Sequence, residues 1–471
     1  MNLLRKKDIS QMLTENHHGP QLEKVLNAFD LTLLGIGAII GTGIFVLTGQ
    51  GAVTAGPGLA ISFIIAALAC SFAALAYAEF ASAIPVSGSV YTYTYVTIGE
   101  FMAWFIGWDL ILEYSLAISA VSVGWSGYFQ SLLGGIGIHI PEIISAAPGI
   151  AGGAKSIFNL PAFLIILLIT FTLSRGVKES SRINNIMVIL KVAVICLFIV
   201  VGSQHVKPSN WQPFAPYGFS GILHASALVF FAYIGFDAVS SAAEEVKNPA
   251  RDMPRGIIYS LAICTVLYVT VVIIMTGITP YTSYTGVDHP VSLALQIAGQ
   301  SWVAGFIDIG AIVGMATVLL VLVFAQTRIV FAMSRDGLVP PVFSKIHTRF
   351  KTPAISTWSV GISSAFIGAL VPLDRLAELT NIGTLSAFVM ISLAVLIMRK
   401  THPELPRTFR CPGVPVIPML AMGLCFFLMT QLLFITWLIF LIWMLVGITI
   451  YFLYSRQHSK LHHENKKQSS C

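Results

Sequence analysis

The sequence predicts an all-α membrane protein: twelve transmembrane helices in a 5+5 inverted repeat, with helices 1 and 6 broken, plus two peripheral helices. Three observations predict it. The 471 residues are 56% hydrophobic and 10% charged, with a mean hydropathy of +0.82, whereas soluble domains carry about 25% charged residues. Apolar runs long enough to span a bilayer, about 20 residues each, recur from end to end. Glycine-rich segments interrupt two of these runs, at corresponding places in two halves of the chain.

Residues 1–28 are polar and hold no short apolar core before a cleavage site, so they read as a cytoplasmic tail and not a signal peptide. Spans at 29–55, 58–84, 100–131, 158–175 and 184–203 make the first repeat, 29–205. Spans at 219–243, 256–279, 301–333, 354–372 and 381–398 make the second, 219–398. The peripheral pair, 413–433 and 435–455, fills 413–455, and 456–471 is a second cytoplasmic tail. The split between the first two spans rests on Pro57, and that between the last two on a short turn near Gln431.

The basic residues orient this plan. With the N-terminus inside, 22 of the 27 Lys and Arg fall in inside segments, and Lys155, Lys207 and Arg375 alone fall outside. That asymmetry is the positive-inside signature, and it requires an even number of spans. The net charge of +6 is thereby a consequence of topology and implies no nucleic-acid partner. Cys70, Cys196, Cys264, Cys411, Cys425 and Cys471 show no paired spacing, which argues against disulfides and metal.

Leu34 to Phe45 reads LGIGAIIGTGIF, with glycines at 35, 37, 41 and 43. Each glycine weakens a helix interior by about 1 kcal/mol. The spacing is no dinucleotide fingerprint, since no strand precedes it. Gly37-xxx-Gly41 alone suits a helix-packing face equally well. The sixth span decides between them: VFFAYIGFDAVSSAAEE, Val229 to Glu245, places Gly235 and Asp237 in an otherwise apolar run. Paired interruptions in corresponding spans point to a binding site near the bilayer midplane. Lipid cannot satisfy backbone groups freed at a break. A half-helix N-terminus favours a carboxylate, and freed carbonyls favour an ammonium. The two ends of a zwitterionic amino acid match that pair.

GAIIGTGIF at 37–45, FFAYIGFDAVSSAAEEVKNPARDMP at 230–254 and SRDGLVP after span 8 resemble the amino acid–polyamine–organocation (APC) superfamily, in the bacterial branch related to cationic amino acid transporters. The resemblance covers essentially the whole chain. It implies amino acid movement by alternating access, often coupled to protons. It places the substrate carboxylate at the amides and hydroxyl of Thr42 and Gly43. It places the amino group at the carbonyls of Ile39 or Ile40 and of Phe231, Ala232 and Ile234, with Phe231 as an aromatic lid.

Lys191 lies nine residues past Arg182, roughly 13 Å into the membrane at ~1.5 Å per residue. Burying its charge costs about 3 kcal/mol or more, so it is the candidate for proton coupling. The alternative is a structural lysine that bonds the carbonyls of a broken helix and never titrates. The resemblance sets it where sodium-coupled relatives of the fold hold sodium. Arg328, near the end of span 8, can snorkel. Glu113 and Asp237 are acidic candidates for the substrate cavity, with Asp109 one turn from Glu113; Asp237 is alternatively a cap for the second half-helix. The resemblance adds Gly314, Thr317 and Leu322 of span 8 as a modest side-chain pocket. Glu79, Glu244 and Glu245 read as interfacial or gating ion-pair residues, Asp308 has no assigned role, and His17, His18, His462 and His463 belong to solvated tails.

The expected function is proton-coupled uptake of small neutral amino acids, with cationic ones bound more weakly; the alternative is an exchanger of amino acids or polyamines. An enzyme is excluded by the absence of HExxH, GxSxG, P-loop or Cys/His motifs, and a channel by the absence of a polar stripe. No cofactor is expected, with protons as the coupling ion. The partners are the amino acid substrate and the lipid bilayer of the cell membrane, with no nucleic acid and a small membrane-peptide partner left open.

Overall fold

The computed structural model describes residues 5–7, 26–84, 89–148, 156–176, 181–237, 239–240, 246–405 and 407–462. Glu244, Glu245, His17, His18, His463 and Cys471 lie outside them. The described chain is helical and holds no strand, only an isolated bridge between Leu26 and Val246.

In chain order the helices are α1 (Ala28–Ile39), α2 (Thr48–Ala55), α3 (Leu59–Ala83), α4 (Ser89–Thr97), α5 (Glu100–Gly135), α6 (Leu160–Ser174), α7 (Ser181–Ser203) and α8 (Gly218–Val229). There follow α9 (Pro249–Ile278), α10 (Pro290–Ile297), α11 (Ser301–Arg335), α12 (Ala354–Leu370), α13 (Leu373–Thr401), α14 (Val416–Thr430), α15 (Phe434–Ile450) and α16 (Arg456–His458). Among the described residues, seven helical stretches are long and apolar enough to cross a membrane, and five shorter apolar helices of 10–17 residues accompany them. The protein is a multi-pass membrane protein.

Local sequence sets the ends. Asn27 caps α1 by accepting the Phe29 and Asp30 N–H groups, while Asp30 accepts the Asn27 N–H, so a capping box satisfies three orphan donors. Asn159 caps α6 ahead of Pro161. Between α2 and α3 the chain turns at Gly56, whose φ of 65° favours glycine. That is the split expected at Pro57.

The interior is built by close approach. α3 buries Ala66, Ala69, Ala73 and Ala76, and it packs against α9; small residues allow helix backbones to come together where lipid supplies no hydrophobic drive. α5 packs on α11 and α13, α1 on α9 and α7, α8 on α3 and α13, α7 on α11, and α6 on α12. α15 instead exposes Leu438, Leu441, Ile442 and Leu445, an apolar surface suited to lipid.

Glu79, fully buried at the end of α3, accepts from Arg399 Nε at 2.9 Å and Nη2 at 2.7 Å, and from the Cys411 N–H at 2.8 Å. Arg407 adds a contact at 3.4 Å. This acid belongs to a helix-end ion pair, which compensates its burial. Glu100 and Asp336 similarly hold the N-terminal segment: Arg5 lies 3.3 Å from Glu100 and Lys7 2.6 Å from Asp336. Arg328 is exposed and lies over the Phe324 ring at 3.9 Å.

Candidate functional site

Both glycine-marked segments are interrupted helices. α1 stops at Ile39, Ile40 turns extended (φ −73°, ψ 99°), and a π-turn over Gly43–Leu47 leads into α2. α8 tightens into a 3-10 turn over Phe230–Tyr233, Ile234 is extended (φ −63°, ψ 135°), and Gly235 has φ 123°. Only glycine adopts that last conformation without strain.

The two breaks clasp each other. A Cβ on Gly43 would collide with the Cα of Ala232 and stand 2.5 Å from its Cβ. A Cβ on Gly235 would stand 2.7 Å from the Ala38 carbonyl oxygen. Each break therefore uses a glycine to admit the backbone of the other. Gly37 and Gly41 serve packing: their Cβ atoms would meet Val188 of α7 at 2.6 Å and Val318 of α11 at 3.3 Å. In this conformation Ala232 occupies the space against Gly43.

The freed carbonyls have side-chain donors. Lys191, 1% exposed on α7, donates through Nζ to the carbonyls of Gly37 at 2.8 Å and Ile40 at 3.4 Å. Tyr268 of α9 donates to the Ile39 carbonyl at 3.0 Å. At the second break, Asn381 of α13 donates to the Ala227 and Leu228 carbonyls at 2.7 and 3.0 Å. Among the described residues its amide oxygen is buried without a partner. The amides of Thr42, Gly43 and Ile44 open the second half-helix, where first-turn N–H groups lack intrahelical partners. The Thr42 hydroxyl faces Met315 Sδ at 3.5 Å.

Beside the breaks lies a cavity of about 10 Å³, bounded by Ala38, Ile234, Glu113, Asp237, Val318 and Leu322, room for about one water molecule. The acids Glu113 and Asp237 do share a cavity, and Tyr114 donates to Asp237 at 3.3 Å. Asp109 is fully buried, against Gly383. Of Gly314, Thr317 and Leu322, Leu322 alone lines the cavity, beside Val318, Val321 and Ala325 of the same helix. Gly314 instead leaves room for the Lys191 stem, 3.2 Å from its would-be Cβ, and Thr317 donates back to the Gly314 carbonyl at 2.8 Å. These two are set apart from the pocket that the resemblance implied. Phe231 is buried beside the second break and does not line the cavity. Asp308 accepts from Ser131 at 2.9 Å, away from the breaks. Among the described residues no cluster of His, Cys, Asp and Glu could hold a metal.

Tyr268, Asn381, Tyr114 and Gln326 carry no signal in the sequence. Gln326 donates to the Ile111 carbonyl at 2.9 Å and to Ser115 Oγ at 2.6 Å, tying α11 to α5. One uncharged polar residue in an apolar helix looks like any other until its partner helix is known.

The model of the family described as amino acid permease matches residues 26–459. The chain belongs to the amino acid permease family. It is 65% identical to the branched-chain amino acid permease of Bacillus subtilis (strain 168) over 98% of this chain and 99% of that one. It is 56% identical to the methylthioribose transporter of the same organism, over 98% and 99%. It is 38% identical to the vacuolar cationic amino acid transporter 4 of Arabidopsis thaliana, over 86% and 68%. The motifs at 37–45 and 230–254 placed the chain in the same superfamily. This permease is a transporter and not an enzyme.

Proposed function

We propose that this permease takes up small and branched-chain neutral amino acids across the cell membrane by alternating access, driven by protons. The carrying observation is the clasp of two helix breaks, Gly43 on Ala232 and Gly235 on Ala38, beside a cavity walled by Ile234, Val318 and Leu322. When the breaks part, the Thr42 and Gly43 amides take the carboxylate. The carbonyls of Phe231, Ala232 and Ile234 take the ammonium, joined by those of Ile39 and Ile40 when Tyr268 and Lys191 let go. The aliphatic wall suits a branched side chain, which agrees with the substrate in the name of the 65% identical relative. Glu113 and Asp237 leave a weaker route for cationic substrates.

The apolar helices make twelve spans: α1 with α2 is span 1, α3 is span 2, α5 to α7 are spans 3 to 5, α8 and α9 are spans 6 and 7, α11 to α13 are spans 8 to 10, and α14 and α15 are peripheral. Packing supports a 5+5 repeat. Advancing every core span by five turns the contact of spans 1 and 7 into that of 6 and 2, that of 3 and 10 into that of 8 and 5, and that of 1 and 5 into that of 6 and 10. Lys191 on span 5 and Asn381 on span 10 obey the same exchange, each bonding carbonyls ahead of its partner's break. The repeats are 29–205 and 219–398, and the distribution of Lys and Arg puts both termini in the cytoplasm.

Lys191 is the proton carrier: its ammonium holds break 1, so losing or gaining a proton changes the grip on the Gly37 and Ile40 carbonyls. A second reading, uptake of a sugar thioether, is favoured only by the 56% identical methylthioribose transporter. Uptake of labelled leucine into proteoliposomes, with and without an inward proton gradient, tests the proposal. Gradient-stimulated uptake that excess isoleucine or valine abolishes is the expected result. Uptake indifferent to the gradient removes the coupling, and labelled methylthioribose entering in place of leucine replaces the substrate.

A further inference from the structure

A second cavity, of about 440 Å³, opens at the outer ends of the broken helices as oriented above. Thr54 of α2 and Gly221 and Leu228 of α8 line it, and a Cβ on Gly221 would stand 2.8 Å from the Thr54 carbonyl. Glu378 of α13 and the turn at Gln431–Leu433 complete the wall. Its size falls within the range of small-molecule sites, about 300–1,000 Å³, whereas the cavity between the breaks holds about 10 Å³.

The polar lining is Thr54, Tyr217, Ser220, His224, Glu378 and Gln431, and Glu378 is the acid among them. His224 Nδ1 lies 2.9 Å from the Gln431 carbonyl. A carbonyl only accepts, so Nδ1 carries the hydrogen, and Nε2 of a neutral ring so placed is an acceptor. The Glu378 carboxylate accepts one hydrogen bond, from Thr436 at 2.8 Å. The neighbouring Arg375 lies 3.8 Å from Asp374. No Lys or Arg lines the cavity among the described residues, and Leu228, Leu432 and Leu433 supply an apolar side.

We propose that this cavity is a second binding site, for a primary ammonium group on a short aliphatic tail. Glu378 supplies the charge, and His224 Nε2 a further acceptor. An amino acid approaching the central junction carries this group, and so does an aminophospholipid headgroup at the membrane surface. The site stands independently of the transport reading.

Isobutylamine tests it, because it lacks the carboxylate that the central cradle requires. Saturation-transfer NMR would use the full chain in phosphatidylcholine nanodiscs. The expected result is a signal in wild type and in Gly43→Leu, lost in Glu378→Gln, which keeps an acceptor for Thr436, and regained in Glu378→Asp. Removing a charge-assisted hydrogen bond corresponds to about tenfold weaker binding. No signal in wild type, or full signal in Glu378→Gln, overturns the proposal. Adding phosphatidylethanolamine distinguishes the sources: a competed signal assigns the site to a headgroup amine, and an unchanged one to a soluble amine. Leucine uptake in the same variants reports on the central site separately.

Discussion

Gly43→Ala adds one methyl at the point where the two breaks touch. Gly43 has no positive φ, so alanine suffers no backbone strain there, and the cost is steric. The new Cβ would stand 2.5 Å from the Ala232 Cβ, where ordinary contact is 3.4–4 Å, so the breaks must separate by about an ångström. Overpacking of this kind costs about 1–3 kcal/mol, which shifts a two-state equilibrium by about 5- to 150-fold. If the substrate carboxylate enters where Ala232 now sits, the cost falls on the closed arrangement, and Gly43→Ala lowers uptake while leaving leucine able to stabilise the protein. Gly43→Leu fills the cradle and removes that stabilisation. Thermal unfolding in detergent, with and without leucine, reads both effects. Gly35→Ala is the control: its Cβ would meet the Ser260 side chain at 2.6 Å, a contact between α1 and α9 away from the cradle, so it lowers the melting temperature and keeps the leucine-induced rise. A well-folded Gly43→Leu protein with an undiminished leucine-induced rise would refute the reasoning and leave the glycines a packing role.

Lys191→Met strips the donor from the Gly37 and Ile40 carbonyls, at about 1–3 kcal/mol per buried acceptor left bare. It should remove the response of leucine uptake to a proton gradient while some binding persists; uptake that still rises with the gradient rules out the role. Asn381→Leu likewise removes the side-chain donor to the Ala227 and Leu228 carbonyls, so uptake should slow with its pH profile unchanged, because asparagine does not titrate; a shifted profile would break the parallel with Lys191. Burial pushes Asp288, in the loop before α10, up to about 6 from the usual 3.8. An acid raised on folding loses stability as pH climbs from about 4 to 6, so Asp288→Asn should raise the melting temperature at pH 8 and not at pH 3. An equal gain at both values would show that the carboxylate is unperturbed.

The breaks were legible because glycine in an apolar helix is costly and both halves incur the cost at matching places. Lys191 was legible for a similar reason: a charge in lipid needs explaining. The role of each glycine was not, since GIGAIIGTG looks the same whether a residue meets a helix or a ligand. Only the fold shows Gly37 against Val188 and Gly43 against Ala232. Glu79 read as an ion-pair residue near a helix end, but its partner, Arg399, 320 positions away, was visible only in the fold. Gly314 and Thr317 were assigned to the pocket by resemblance, but a helix face is fixed by its neighbours, and here the Lys191 stem packs against Gly314.

The central claim is that an amino acid binds where Gly43 and Ala232 now touch. A structure of the protein with leucine bound tests it most directly. The account predicts a carboxylate within hydrogen-bonding distance of the Thr42 and Gly43 amides, an ammonium at the carbonyls of Phe231, Ala232 and Ile234, and Ala232 displaced from Gly43. Leucine bound elsewhere, with Gly43 still against Ala232, would contradict it.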